Sequence, residues 1–341
     1  MRIAELKKNL TAIRIPHFAF RIPHMLSRVA DSLYWMSRYL ERAEHTARLL
    51  DLNLNLTLDQ SPVVARERWQ MMLASLRVPV PENLDAYELT QYLTFDAGNK
   101  DSMVVCIKAA RENARQIREQ ISSEMWEILN RLYLIVLRAR IEDIYAQPHE
   151  FYRPIKEGAH LFQGITDSIM SRGEGWHFIQ LGSFIERAGA TSTLLDVNLR
   201  ALLNPANQAA GGLDYISWVA LLKSCTSFES YCQTNTADLR PDWITEFLLL
   251  NPEHPRSVRF AIDVIQSSLQ TLAKITGTSD VGRAERLAGR LRATLDYARI
   301  DEIMADNVHS FLDNIQRQCA QIHTAVNQQY INYSIEMALA S

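Results

Sequence analysis

"YLERAEHTARLLDLN" (residues 39–53) returns 145 residues later as "FIERAGATSTLLDVN" (residues 184–198), with eight of fifteen positions identical. Around the first copy Leu26, Leu33, Leu40, Ala47 and Leu54 recur every seven residues, and Val29, Met36, Ala43 and Leu50 fall between them. That spacing predicts a core-facing stripe on a helix of about eight turns. The second copy keeps it through Phe178, Ile185, Ser192 and Leu199, with Leu181, Ala188 and Leu195. "SRGE" (171–174) has capping-box spacing and predicts the start of that second helix.

The rest of the chain has the same period. Helices are expected at about 63–75, 85–94, 101–121, 123–146, 154–170, 212–233, 241–250, 256–276, 279–297 and 300–338, separated by Pro, Gly and Asn signals such as "RVPVPEN" (77–83) and "NPEHP" (251–255). Alternating strand patterns are nearly absent, so the fold class is all-α. The apolar run "LYLIVL" (132–137) is too short for a membrane span and is expected as a buried helical turn.

The echo extends past the quoted stretch. Trp69, Met72, Leu73 and Ser75 match Trp218, Leu221, Leu222 and Ser224, and "LTFDAGNKDSMVVCI" (93–107) aligns with "LLLNPEHPRSVRFAI" (248–262). These matches predict a multi-helix bundle of two duplicated halves, about 25–148 and 149–341, related by a pseudo-two-fold axis. Residues 1–24 carry five Lys/Arg against one Glu and repeat "RIPH" at 14 and 21. They are expected to be a disordered extension, or to lie upstream of a start at Met25.

Composition narrows the function classes. Of 341 residues, 47% are apolar and 22% charged, with a net charge of −3 and both signs interleaved. That suits a globular protein and argues against a nucleic-acid binder working by bulk charge. Four scattered cysteines without a Cys-x-x-Cys pair fit a reducing cytoplasm. No Walker motif occurs among the 12 glycines. The acid-x-x-His spacings Glu157/His160, Glu174/His177 and Asp306/His309 lack the inward glutamates of a carboxylate-bridged metal core, so neither metal nor cofactor is expected.

The repeated Glu-Arg pair is the sharpest question. Adjacent helical residues point about 100° apart, so Glu41 and Arg42 cannot pair with each other. In the first copy Arg38, His45 and Arg48 offer local partners, which suits a solvated face. In the second copy those positions are Ser183, Ala190 and Thr193, while Glu186 and Arg187 remain. Two readings stay open beside the solvated one: a buried reciprocal cross-pair, Glu41 with Arg187 and Glu186 with Arg42, or a binding or catalytic site built from the same four residues. Asp51 and Asp196, and Asn53 and Asn198, repeat as well. A second candidate surface is Arg111, Arg115 and Arg118, placed on one helix face by their spacing and suited to carboxylate, phosphate or a protein partner.

"MLSRVADSLYWMSRYLERAEHTARLLD" (25–51), "RENARQIREQISSEMWEILNRLY" (111–133) and "SRGEGWHFIQLGSFIERA" (171–188) resemble the bacterial alpha-E family, a helical domain named for its Glu-Arg motif. The likeness runs from Met25 to about Tyr333 and departs at Ser183, where it leads one to expect a base. The resemblance implies a partnership with a circularly permuted ATP-grasp protein, and with a transglutaminase-like peptidase, in systems that build or modify peptides or other amide-linked products. On that footing the chain is expected to be an accessory subunit that positions substrate or partner. The alternatives are an enzyme acting on a peptide-like substrate with Glu41 or Glu186 as acid or base, and a purely structural scaffold.

Overall fold

The computed structural model describes residues 25–58, 60–80, 85–202, 214–235, 238–277 and 282–331. The expectation for residues 1–24 lies outside them. Among the described residues every regular element is helical. In chain order these are α1 (Ser27–Thr57), α2 (Pro62–Ser75), α3 (Ala86–Thr94), α4 (Met103–Gln116), α5 (Ser123–Arg138), α6 (Ile141–Ala146), α7 (Pro148–Ile169) and α8 (Glu174–Leu202). There follow α9 (Asp214–Ser224), α10 (Phe228–Asn235), α11 (Pro241–Leu250), α12 (Val258–Thr276), α13 (Arg283–Asp296), α14 (Ile300–Ala305) and α15 (Val308–Val326), closed by a π-helical turn over Asn327–Ile331.

The two long helices are the centre. α1 packs against α8, α4 and α7, and α8 packs in addition against α12 and α15. On α1, Val29, Leu33, Met36, Leu40, Ala43, Ala47, Leu50 and Leu54 are buried as the heptad stripe requires, and only Leu26, ahead of the helix, is exposed. On α8 all seven stripe residues are buried. Each buried Leu contributes roughly 1.5–3 kcal/mol by leaving water. Gly182 sets how close the two helices come, because a Cβ there would collide with the carbonyl of Tyr34 and the hydroxyl of Ser37.

Several expected helices are shorter, for local reasons. The one expected at 101–121 stops at Gln116, since Ile117 and Ile121 both turn into the core and Ile117 leaves helical geometry at φ −128°, ψ 34°. The 123–146 helix divides at the extended pair Ala139–Arg140, and the 212–233 helix at Thr226, whose φ is 54°. The 300–338 helix breaks at Asp306–Asn307, where Asn307 caps α15 by accepting from the Ser310 N–H. α7 begins earlier than expected, at Pro148, whose fixed φ suits a first helical position. "LYLIVL" is amphipathic, with Leu132 and Val136 buried and Leu134 and Leu137 exposed. The "SRGE" capping box does not form. α8 starts at Glu174, and that carboxylate accepts the Met25 N–H at 2.9 Å.

Candidate functional site

α1 and α8 bring both Glu-Arg pairs to one place at their crossing. Glu41, 3% exposed, accepts two parallel hydrogen bonds from Arg187, from Nε at 2.7 Å and Nη2 at 2.8 Å. It also accepts from Arg256 Nη1 at 3.0 Å and from the Gln163 amide at 2.9 Å. Glu186 is held in the same way by Arg42, from Nε at 2.6 Å and Nη2 at 3.1 Å, and by Arg38, from Nε at 2.9 Å and Nη2 at 2.7 Å. The reciprocal pairing is therefore present, and the solvated-face reading is overturned. Two of the three residues that looked like local partners serve other acids, and the third, His45, has its Nε2 unpaired. Arg38 crosses to Glu186, and Arg48 pairs with Glu44.

Electrostatics follow from this geometry. Burial pushes the Glu186 carboxyl up, but Arg38 and Arg42 outweigh it and bring it down to about 2. Burial likewise opposes ionisation of Glu41 and Glu44. The guanidiniums of Arg187 and Arg256 hold Glu41 below the carboxylate range, and Arg256, His160 and Arg48 do the same for Glu44. Every oxygen of Glu41 and Glu186 meets a guanidinium.

A shell of polar groups surrounds the crossing. Arg42 also pairs with Asp101, at the entrance to α4. Arg38 Nη1 lies 2.8 Å from His323 Nδ1, and the Tyr34 hydroxyl lies 2.7 Å from the same nitrogen. A guanidinium only donates, so Nδ1 is the acceptor and the His323 proton is assigned to Nε2. Burial, reinforced by Arg38, lowers His323 to about 4. At the far end Asp51 takes Lys156 at 2.5 Å and His149 at 3.1 Å, while Asp196 takes His309 at 2.6 Å and Arg200 at 3.1 Å. The repeated aspartates thus tie α1 to α7 and α8 to α15. Of the repeated asparagines, Asn198 donates to the Leu194 carbonyl, and Asn53 Nδ2 has no partner.

Two cavities flank the crossing. One of about 300 Å³ lies between α1, the end of α2, α8 and α15, and is lined by Arg38, Arg42, Arg77, Glu186, Gln316 and His323 among others. The other, about 240 Å³, is lined by Glu41, Gln163, Ser183, Phe184, Arg187 and Phe260 among others.

The remaining expected site residues are not part of this cluster. Arg118 lies beyond the end of α4, so the three arginines do not share one helix face. Arg111 donates to Asn130 at 2.9 Å and stacks on Trp126 and Tyr133, Arg118 stacks on the same Trp126, and Arg115 pairs with Glu112 in solvent. The acid-x-x-His histidines point to different tasks. His160 faces Glu44 at 3.6 Å, His309 binds Asp196, and His177 packs edge-on against Trp176 with Nδ1 unpaired. Among the described residues no group of three or more His, Cys, Asp or Glu could hold a metal ion, and no helix is long and apolar enough to cross a membrane.

Sequence reasoning missed Arg256, Glu44, Asp101, Gln163 and His323. One signal was legible. In the aligned pair "NKDS" (99–102) and "HPRS" (254–257), Asp101 and Arg256 occupy the same place with opposite charge. Each supplements the Glu-Arg pair with the sign that pair's outer member lacks, Asp101 at Arg42 and Arg256 at Glu41.

The sequence profile described as "a predicted alpha-helical domain with a conserved ER motif" matches residues 25–331. The chain belongs to the Alpha-E family. At the crossing of this Alpha-E domain the four residues of the two repeated Glu-Arg pairs are buried together or nearly so. An uncharacterized protein of Mycobacterium bovis is 24% identical over 328 residues, covering 88% of this chain and 35% of that protein. An uncharacterized protein of Mycobacterium tuberculosis is 23% identical over the same length and shares. This Alpha-E chain thus spans about a third of the length of the curated relatives it matches. No solved structure matches it.

Proposed function

We propose that this chain is an accessory helical module of an ATP-grasp ligase system that makes or modifies peptides or other amide-linked products, holding substrate or partner rather than performing acid-base chemistry on Glu41 or Glu186. The observation that carries this choice is the saturation of both carboxylates. A general acid or base needs a proton that can come and go near neutrality. Glu186, brought to about 2 by two guanidiniums, and Glu41, clamped by Arg187 and Arg256, are fixed anions. The ATP-grasp partner comes from the family resemblance. The curated relatives favour a modular role, since the matching stretch is 35% of their length. Co-expression with the circularly permuted ATP-grasp protein that the family resemblance implies tests the reading by size-exclusion chromatography. A stable co-eluting complex is expected. A chain that stays monodisperse beside that protein sinks the proposal.

We further propose that the bundle arose by internal duplication, with α1–α7 and α8–α15 as the two halves, which moves the join from the expected 148 to near Met170. Support comes from matched details. α2 and α9 end in the same turn, with Arg77 at φ 57° and Thr226 at φ 54°. Ser102 donates to the Asp96 carbonyl as Ser257 does to that of Asn251. "ARIEDIYAQPHEF" (139–151) parallels "ARIDEIMADNVHSF" (298–311), including the histidines that bind Asp51 and Asp196.

A further inference from the structure

The 300 Å³ cavity holds a charge excess that the ion-pair network does not consume. Three guanidiniums, Arg38, Arg42 and Arg77, line it with two carboxylates, Glu186 and Asp101. Its two histidines add no charge near neutrality, because burial holds His45 below the ordinary imidazole value and His323 at about 4. Arg38 and Arg42 are bound by Glu186. Arg77 differs. Its Nη2 donates to Thr193 Oγ1 at 2.7 Å and Gln316 Oε1 at 3.0 Å, both neutral, and among the described residues no carboxylate pairs with it.

Arg77 also stands where a helix end favours glycine. α2 closes with the Arg77 N–H on the Ala74 carbonyl at 3.0 Å and the Val78 N–H on the Leu73 carbonyl at 2.9 Å. That is the Schellman arrangement, whose left-handed residue is ordinarily glycine because a Cβ is strained there. The strained backbone delivers a guanidinium to the cavity rim.

The space results from small side chains. Counting back 145 residues from α8 and 160 from α15, Gly189, Thr193, Gln316 and Ala320 correspond to Glu44, Arg48, Lys156 and His160. There Arg48, His160 and Arg256 converge on Glu44, Lys156 pairs with Asp51, and the cavity beside Arg256 is only about 30 Å³. At Gly189 a Cβ would enter open space.

We propose that the larger cavity binds a small organic monocarboxylate with a short apolar body, its carboxylate on Arg77 and its body against Leu76, Val78, Leu93 and Ile185. One excess positive charge matches a monoanion, and the guanidinium fork matches a carboxylate. The volume stands at the small end of ligand pockets, which run from roughly 300 to 1,000 Å³. Nothing in this inference rests on the ligase partner, so the test uses the whole chain alone and its failure leaves that reading standing.

Isothermal titration with N-acetyl-leucine, its uncharged amide N-acetyl-leucinamide, and inorganic phosphate separates the outcomes. The acid is expected to bind and the amide to bind at least about tenfold more weakly. Arg77→Gly should weaken the acid by at least about tenfold while leaving the melting temperature unchanged or raised, because the helix end is relaxed. If Arg77→Gly lowers the melting temperature, the decision passes to Gly189→Phe, which fills the cavity and should abolish binding in a folded chain. Equal binding of acid and amide, undiminished binding in Gly189→Phe, or no binding of the acid overturns the proposal. So does phosphate binding more tightly than the acid.

Discussion

Replacing Glu41 by glutamine changes almost no volume and removes one charge from the interior of the α1–α8 crossing. The amide retains one acceptor oxygen, but its NH₂ then faces a guanidinium. Arg256 still has Glu44 at 3.4 Å. Beyond that amide oxygen Arg187 keeps the Pro255 carbonyl at 3.2 Å and its stacking over Phe184, with no acid in reach among the described residues. Stranding a buried guanidinium in this way costs about 3–5 kcal/mol. Glu186→Gln should cost less, about 1–3 kcal/mol, because Arg42 retains Asp101, Arg38 retains His323, and the site borders the larger cavity. Urea unfolding followed by far-ultraviolet circular dichroism measures both, as a drop in midpoint at constant slope. Exchanging the charges of Glu41 and Arg187 should not restore stability, since an arginine at 41 would face Arg256, 3.0 Å from the present carboxylate. Glu41→Leu combined with Arg187→Leu should recover much of the loss, because removing both charges leaves neither stranded. A Glu41→Gln cost near 0–1 kcal/mol, the size of an exposed pair, would refute the argument that the crossing is dry.

The remaining predictions concern charge, helix approach and acid. His254 and His323, both lowered to about 4 chiefly by burial, are protonated more readily in the unfolded chain. Their contribution is complete above about pH 6.5 and is lost as pH falls toward 4, after which Glu186 extends the loss from about pH 4.5 down to 2. A urea midpoint that is flat from pH 6.5 to 4 would contradict this, and His323→Gln should reduce the slope in that upper window. Gly182→Ala should destabilise by about 1–3 kcal/mol, because its methyl would meet the Tyr34 carbonyl. Gly189→Ala, one heptad on, should stabilise by roughly 0.5–1 kcal/mol through helix propensity alone. Equal effects of the two in thermal melts would disprove the close approach. Arg68 is buried with Nε and Nη2 unpaired, so Arg68→Met should raise the urea midpoint, by about 1–3 kcal/mol in stability.

Period and punctuation determined much of this protein without coordinates. The seven-residue stripes of α1 and α8, the helix at 241–250 and the all-α class depend on which residues alternate with water along one helix, a local property written directly in the order of side chains. The reciprocal Glu-Arg pairing was one of several readings open in the sequence, because a doubled charge on two helices states a need for partners without saying which. Tertiary structure chose among them. The α1–α8 crossing sends Arg38 past Glu41 to Glu186, and the turn before α12 places Arg256, 215 residues from Glu41, against its carboxylate. It also decided that α4 ends at Gln116, since the burial of Ile117 and Ile121 outweighs the helical propensity of "RENARQIREQ" (111–120). The open cavity depends on four small or neutral side chains from two helices far apart in sequence. A missing side chain leaves no periodic signal, and only packing shows where the space falls.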